Sequence, residues 1–185
     1  MKFLKFLLII FISLTTSIKA DLNENLINQL LDGNKLIFIR HAYAPGSGDP
    51  DNFNLNDCST QRNLNEEGRK QAQKIGKFFT NNNIKIEKVF SSEWCRCKET
   101  AEIAFEDYST KNFLNSFYSL KFAKNKTKQI EELDNYVQQL KGNQNIILVT
   151  HYVLISEVFN YAPSSGEIVV SDKNFNIIGN IKINY

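Results

Sequence analysis

The stretch Lys35-Leu36-Ile37-Phe38-Ile39-Arg40-His41-Ala42 passes abruptly from an apolar run to an arginine and a histidine. Leu36 to Ile39 is short, apolar and partly β-branched, and it follows a Gly33-Asn34 turn signal. This pattern predicts a strand buried on both faces, as in a parallel sheet. Arg40 and His41 then stand where the strand leaves the sheet, the edge at which open α/β sheets bind ligands. The chain of 185 residues has 2 histidines, and the second has the same setting. Asn145-Ile146-Ile147-Leu148-Val149-Thr150-His151 is another buried-strand run that ends on a histidine. Two strands are therefore expected to deliver both imidazoles to one edge.

Around these strands the pattern alternates. Leu22, Leu26, Ile27, Leu30 and Leu31 have helical spacing ahead of the first strand. The segment from Ala44 to Asp57, rich in Gly, Pro, Asp and Asn, reads as a loop long enough to carry function. Asn65 is an N-cap with Glu66 and Glu67 in the first turn, and Ala72, Ile75, Gly76 and Phe79 form the inward stripe of its helix. Ile86 to Phe90 predicts a second strand. A helix after it turns Trp94, Cys97, Ala101, Ala104 and Phe105 inward and leaves Arg96 on a different face. The aromatic segment Phe113 to Phe122 is weakly periodic and ambiguous, a strand followed by loop being one reading. Thr127 to Leu140 is helical, as is the segment after His151 with Val153, Leu154, Val158 and Phe159. Ile168-Val169-Val170 and Ile177-Ile178 flank Asp172-Lys173-Asn174 as an edge hairpin. The expected architecture is a three-layer α/β/α sandwich with a mostly parallel central sheet.

Residues 1–20 have the features of a signal peptide: Lys2 and Lys5, an apolar core from Phe6 to Ile12, and Ile18-Lys19-Ala20 at the cleavage end. Its apolar run is too short to span a bilayer comfortably, so an exported domain over residues 21–185 without stable membrane insertion is expected, periplasmic or secreted. Removing the leader takes basic residues from 22 to 19 against 20 acidic ones, moving the net charge from +2 to about −1. That balance gives no reason to expect nucleic acid as a partner. In an exported chain the 3 cysteines fall where disulfides persist. Cys95 and Cys97 are two apart on a helix and cannot face one partner. Cys58–Cys95 is the preferred pairing, with Cys97 in the core. Metal binding is the rival reading, but no CxxC or HxxxH spacing is present.

Arg40, His41, Arg96 and His151 can all be placed at strand ends or the first turn beyond, and Arg62 can reach the same edge. Guanidinium groups suit bidentate contact with phosphate oxygens. Their charge also disfavours protonation of a neighbouring histidine, which keeps a ring nitrogen free as nucleophile. Anion binding alone does not overcome the barrier to phosphate-ester hydrolysis, whereas a covalent phosphohistidine within preorganised positive charge can.

Together, Arg40-His41-Ala42 after a buried strand, the helix opening at Leu64 to Gly68, Ser91-Ser92-Glu93-Trp94-Cys95-Arg96-Cys97-Lys98-Glu99-Thr100-Ala101, and Thr150-His151 resemble the histidine phosphatase superfamily, the phosphoglycerate-mutase-like fold. The resemblance implies that His41 accepts the phosphoryl group and that Arg40, Arg96 and His151 hold it. Arg62 matches an arginine that short bacterial phosphohistidine phosphatases place in the pocket. The size and leader are similar to those of small periplasmic members, some acting on phosphorylated lipopolysaccharide sugars. The implied substrate is thus a small phosphate monoester or phosphoramidate, such as a sugar phosphate or a lipopolysaccharide component. No cofactor and no metal are implied. The sequence departs from the family at Ala42, where glycine is common, and at Cys97, where alanine is usual. Many members carry a glutamate as leaving-group acid where this chain has Leu114-Asn115-Ser116. Glu93, Asp57 and Glu167 are the substitutes considered. The alternatives are a zinc-dependent hydrolase built on His41, His151 and a carboxylate, and a non-catalytic phosphate- or phosphosugar-binding module.

Overall fold

The structure, a computed structural model, describes residues 24–185. The expected signal peptide (1–20) and Leu22 of the first helix lie outside the described residues. Helix α1 occupies 24–31, and strand β1 (Leu36–Arg40) follows it. The turn between them is backbone-driven: Gly33 has φ +76° and Asn34 +59°. A Cβ on Gly33 would also lie 2.2 Å from the Asn143 carbonyl oxygen.

Beyond β1 come α2 (Glu66–Asn81), β2 (Ile86–Ser91), α3 (Cys95–Phe105) and β3 (Ser109–Thr110). The chain continues with α4 (Leu120–Ala123), α5 (Lys126–Gln138), β4 (Asn145–Thr150), α6 (Tyr152–Phe159), β5 (Ile168–Ser171) and β6 (Ile177–Ile181). The strands form one sheet in the order β3-β2-β4-β1-β5-β6. Neighbours from β3 to β1 are parallel, and β5 and β6 close one side as an antiparallel hairpin. The Asp172 carboxylate ties that hairpin's turn by accepting from the amides of Asn174 and Asn176.

The period-2 alternation of the central strands splits the core into two layers. Ile37, Ile39, Ile147 and Val149 pack on α1, α2 and α3 through Leu30, Ile75, Phe79, Cys97 and Ala101. Leu36, Phe38, Ile146 and Leu148 face α5 and α6 through Leu133, Val137, Leu154 and Ile155. Helices thus cover both faces of a mostly parallel sheet, which is the three-layer arrangement expected. Helix α2 starts as its sequence requires: the Asn65 side chain accepts from the Gly68 amide at 2.9 Å, with Glu66 and Glu67 in the first turn.

The expectation for Phe113 to Phe122 needs correction. Residues Asn112–Leu114 form a 3₁₀ turn, Leu120–Ala123 form α4, and the strand in this region is the two-residue β3 upstream. The aromatic spacing misleads because these side chains serve two cores. Phe113, Leu114 and Phe117 join the layer under α5, whereas Phe122 packs against the opposite one.

The 3₁₀ turn Cys58–Thr60 is tied by a disulfide to Cys95, the first residue of α3, with Cα atoms 5.7 Å apart. Closing a loop of sequence separation 37 restricts the unfolded chain. Cys58→Ser is therefore expected to lower unfolding free energy by about 2–4 kcal/mol, read by chemical denaturation under non-reducing conditions. Gly76 lets α2 lie against α3, since a Cβ there would sit 2.5 Å from the Ala104 carbonyl oxygen. Gly76→Ala is expected to cost about 1–3 kcal/mol through forced separation of the two helices, despite the better helix propensity of alanine. An unchanged denaturation midpoint would contradict this close approach.

Candidate active site

The site begins with strand register. β1 and β4 pair so that Arg40 lies opposite Thr150, and the His41 amide donates to the Thr150 carbonyl at 2.9 Å. The next residues, His41 and His151, leave the sheet side by side. Their ring centroids are 5.5 Å apart with planes at 67°, and both side chains are buried.

His41 Nδ1 lies 2.8 Å from the Ala42 carbonyl oxygen. A carbonyl only accepts, so Nδ1 carries the proton and Nε2 holds the lone pair. Burial, reinforced by Arg96 and then by Arg62 and Arg40, holds His41 well below the usual histidine range. His151 is held down in the same way, by burial, Arg96 and its neighbour His41. Both rings are neutral at neutral pH.

A hydrogen-bond chain sets the second ring. Asn115 Oδ1 accepts from the Glu93 amide (2.9 Å) and from Ser92 Oγ (3.0 Å). The Ser92 hydroxyl proton is thereby committed, so Ser92 Oγ accepts from His151 Nε2 at 2.8 Å. This assigns the Nε2–H tautomer to His151. Cys97 Sγ lies 3.4 Å from the same nitrogen. Burial pushes that thiol up to about 12, so it is a protonated packing group.

Three guanidinium groups surround the rings. Arg40 donates from Nη1 to the Pro163 carbonyl at 2.8 Å, and its Cζ sits 5.6 Å from the centroid of Tyr152. Arg62 donates from Nε to the Gly48 carbonyl at 2.7 Å and from Nη1 to that of Ala44. It clips the long loop onto the site. Arg96 is buried and forks onto Asp49, with Nη1–Oδ1 at 2.6 Å and Nη2–Oδ2 at 3.1 Å. Asp49 also accepts from Trp94 Nε1 and the Arg62 amide, each at 3.1 Å. Burial alone would raise this carboxyl, but the Arg96 guanidinium and the other donors prevail and hold it below the carboxylate norm. Because Asp49 takes the Nη edge, Nε of Arg96 remains. Among the described residues, Arg96 Nε and Arg40 Nε are both buried without a hydrogen-bond partner.

The structure brings Arg40, His41, Arg62, Arg96 and His151 to one cavity of about 620 Å³. The loop from Gly46 to Asp51 and the segment from Tyr118 to Phe122 form its rim. The three carboxylates considered as leaving-group acids stand elsewhere. Asp57 caps the exposed 3₁₀ turn through Ser59, and Glu93 pairs with the Asn115 amide. Glu167 is enclosed by Tyr161, the Ser164 amide and Asn180. None of the three lines the cavity, whereas Asp49 and Asp51 do. Sequence reasoning missed Asp49, Ser92 and Asn115 as site-building residues. A Gly-Asp-Pro within a long loop was the only signal for Asp49, since its partner lies 47 residues away.

Residues 36–115 match the family model of the histidine phosphatase superfamily, branch 1. No curated protein matches the chain. Among solved structures, the chain resembles the protein histidine phosphatase SixA complexed with tungstate, at 14% identity and TM-score 0.53, covering 77% of this chain and 92% of that one. A phosphoglycerate mutase from Thermus thermophilus aligns at 15% identity and TM-score 0.55, over 81% and 99% of the two chains. A protein assigned as phosphohistidine phosphatase SixA from Agrobacterium tumefaciens aligns at 17% identity and TM-score 0.57, over 81% and 99%. The fold is thus phosphoglycerate-mutase-like, and the match over 36–115 supports the histidine phosphatase superfamily.

Two buried neutral histidines have a consequence for stability. Their folded pKa values lie below the ordinary 6.5, so the unfolded chain takes up protons first as pH falls. Stability is complete above that value and declines below it, by up to about 1.4 kcal/mol per pH unit per histidine. Denaturation midpoints are expected to be level near pH 7.5 and to fall between pH 6.5 and 5. The double variant His41→Asn, His151→Asn is expected to lose most of that slope. An equal slope in the variant would contradict the assignment.

Proposed function

We propose that this chain is a phosphatase that hydrolyses a small phosphate monoester or phosphoramidate through a covalent phosphohistidine on His41. The observation that carries this reading is the state of His41. It is neutral, its proton is fixed on Nδ1 by the Ala42 carbonyl, and its Nε2 lone pair belongs to a cavity lined by three arginines. A pure anion-binding site has no use for a protected nucleophile among its cations. The buried Nε groups of Arg40 and Arg96 supply the complementary half, because a phosphoryl oxygen is the acceptor each lacks.

In this mechanism Nε2 of His41 attacks phosphorus and the P–O or P–N bond to the leaving group breaks. The leaving group departs with the bonding electrons and takes its proton from solvent water entering the cavity. Arg40, Arg62 and Arg96 hold the transferring oxygens. The bound dianion raises the proton affinity of His151, which then stabilises the phosphoryl group as a donor. Water attacks the phosphohistidine in the second step, releasing phosphate and restoring Nε2. No metal takes part in this scheme. Asp49 is engaged by four donors and is a weak proton source. Aryl phosphates and phosphoramidates, which need less help to leave, are therefore expected to outpace alkyl esters. The leader sequence and the Cys58–Cys95 disulfide support an exported, periplasmic or secreted setting.

Stopped-flow turnover of 4-nitrophenyl phosphate is expected to show a burst, with an acid-labile, base-stable phosphoryl label on the wild-type protein. His41→Ala is expected to lose burst, label and turnover. Arg96→Ala is expected to lower kcat/KM on the order of 10²-fold through lost charge-assisted contacts. Chelators are expected to leave the rate unchanged. A labelled His41→Ala protein, or loss of activity with chelator, would sink this mechanism.

A further inference from the structure

The mouth of the cavity differs chemically from its floor. Among the described residues seven large apolar side chains are exposed, and three of them, Tyr118 (61%), Leu120 (96%) and Tyr152 (41%), line this one cavity. Leu120 is held outward by its own short helix. Two residues on, Phe122 is anchored edge-on against Trp94 at 5.3 Å and Phe53 at 5.6 Å. Residues two apart on a helix point to different sides, so seating Phe122 turns Leu120 toward solvent at the opening. On the other side Tyr152 stands beside the Arg40 guanidinium, at the junction between cationic floor and apolar mouth.

We infer that the substrate's leaving group is apolar, an aryl or alkyl group of several carbons, and lies against Tyr118, Leu120 and Tyr152. The inference rests on the phosphatase reading, because the guanidinium groups orient the ligand: the phosphoryl end belongs on the floor, so the departing group extends along the mouth. Exposed apolar side chains gathered at a cleft mark a binding surface rather than ordinary surface scatter. Polar members of the rim, Ser47, Asp49 and Asp51, lie on the Gly46–Asp51 loop, whereas the side formed by Tyr118, Leu120 and Phe122 with Tyr152 is largely carbon, so the apolar contact is made on that side.

The test uses 4-alkylphenyl phosphates from methyl to hexyl, whose leaving-group acidity is nearly constant, with 4-(2-hydroxyethyl)phenyl phosphate as a polar control. Full burial of a methylene corresponds to about a fourfold gain in binding. kcat/KM is expected to rise about two- to fourfold per methylene over the first four carbons, and the polar control is expected to fall below the ethyl compound. Leu120→Asp and Tyr118→Asp are expected to flatten the hexyl-to-methyl ratio by at least fivefold. A level series with turnover intact would overturn this inference and leave the phosphatase reading standing. A level series combined with Leu120-dependent cosedimentation with anionic phospholipid vesicles would overturn it in favour of a lipid surface. Absence of turnover for every ester would overturn the phosphatase reading and this inference with it.

Discussion

The parallel pairing of β1 with β4 is the constraint from which the site follows. The hydrogen bond from the His41 amide to the Thr150 carbonyl fixes where each strand ends relative to the other. Because side chains alternate along a strand, a slip by one residue would move every apolar side chain of β1 to the other layer. Two filled cores on opposite faces prevent that slip. The hydrophobic pattern therefore sets the separation of the two imidazoles, although neither ring contributes to the pattern itself.

A second order of control comes from residues that answer the charges. Arg96 is buried beside other guanidinium groups, and Asp49 on its Nη edge offsets part of that repulsion while fixing the plane of the ion. Arg62 in turn holds the Gly48 and Ala44 carbonyls, so the loop that brings the carboxylate is fastened by a member of the same cationic group. The disulfide fixes the chain at Cys95, next to Arg96, and Gln61 Oε1 accepts from the Cys95 amide at 3.0 Å. Loop, helix start and arginine thus form one braced unit. The Asn115–Ser92–His151 chain gives comparable definition to the second ring.

The two histidine-bearing strands, the edge hairpin and α2 were legible because each is written locally, as an apolar run, a turn signal or a cap. Arg40, His41 and His151 were legible because topology alone sends strand ends to one edge, and Arg96 and Arg62 because each lies in a short segment beside such an end. Asp49 was not, since its meaning lies in a contact that exists only after the loop folds back onto α3. In the sequence Asn115 registers only as the loss of an acid, whereas in the structure it orients a histidine through Ser92. The segment 113–122 has no single periodicity because its aromatics are divided between two layers, and pattern reading assumes one. Cys97 packs in the core as its position predicts, but against the His151 ring.

The distribution of charge around the cavity reaches beyond contact distance. Arg40, Arg62, Arg96 and Lys121 line it against Asp49 and Asp51, a local surplus of two positive charges. A nearly neutral molecule thus presents a concentrated cationic opening. Field lines focused in such a cleft draw anions inward before any hydrogen bond forms and accelerate their capture from dilute solution. That attraction fades as salt shortens the screening length to about 10 Å or less, so encounter, unlike chemistry, is governed by the ionic strength of the surroundings.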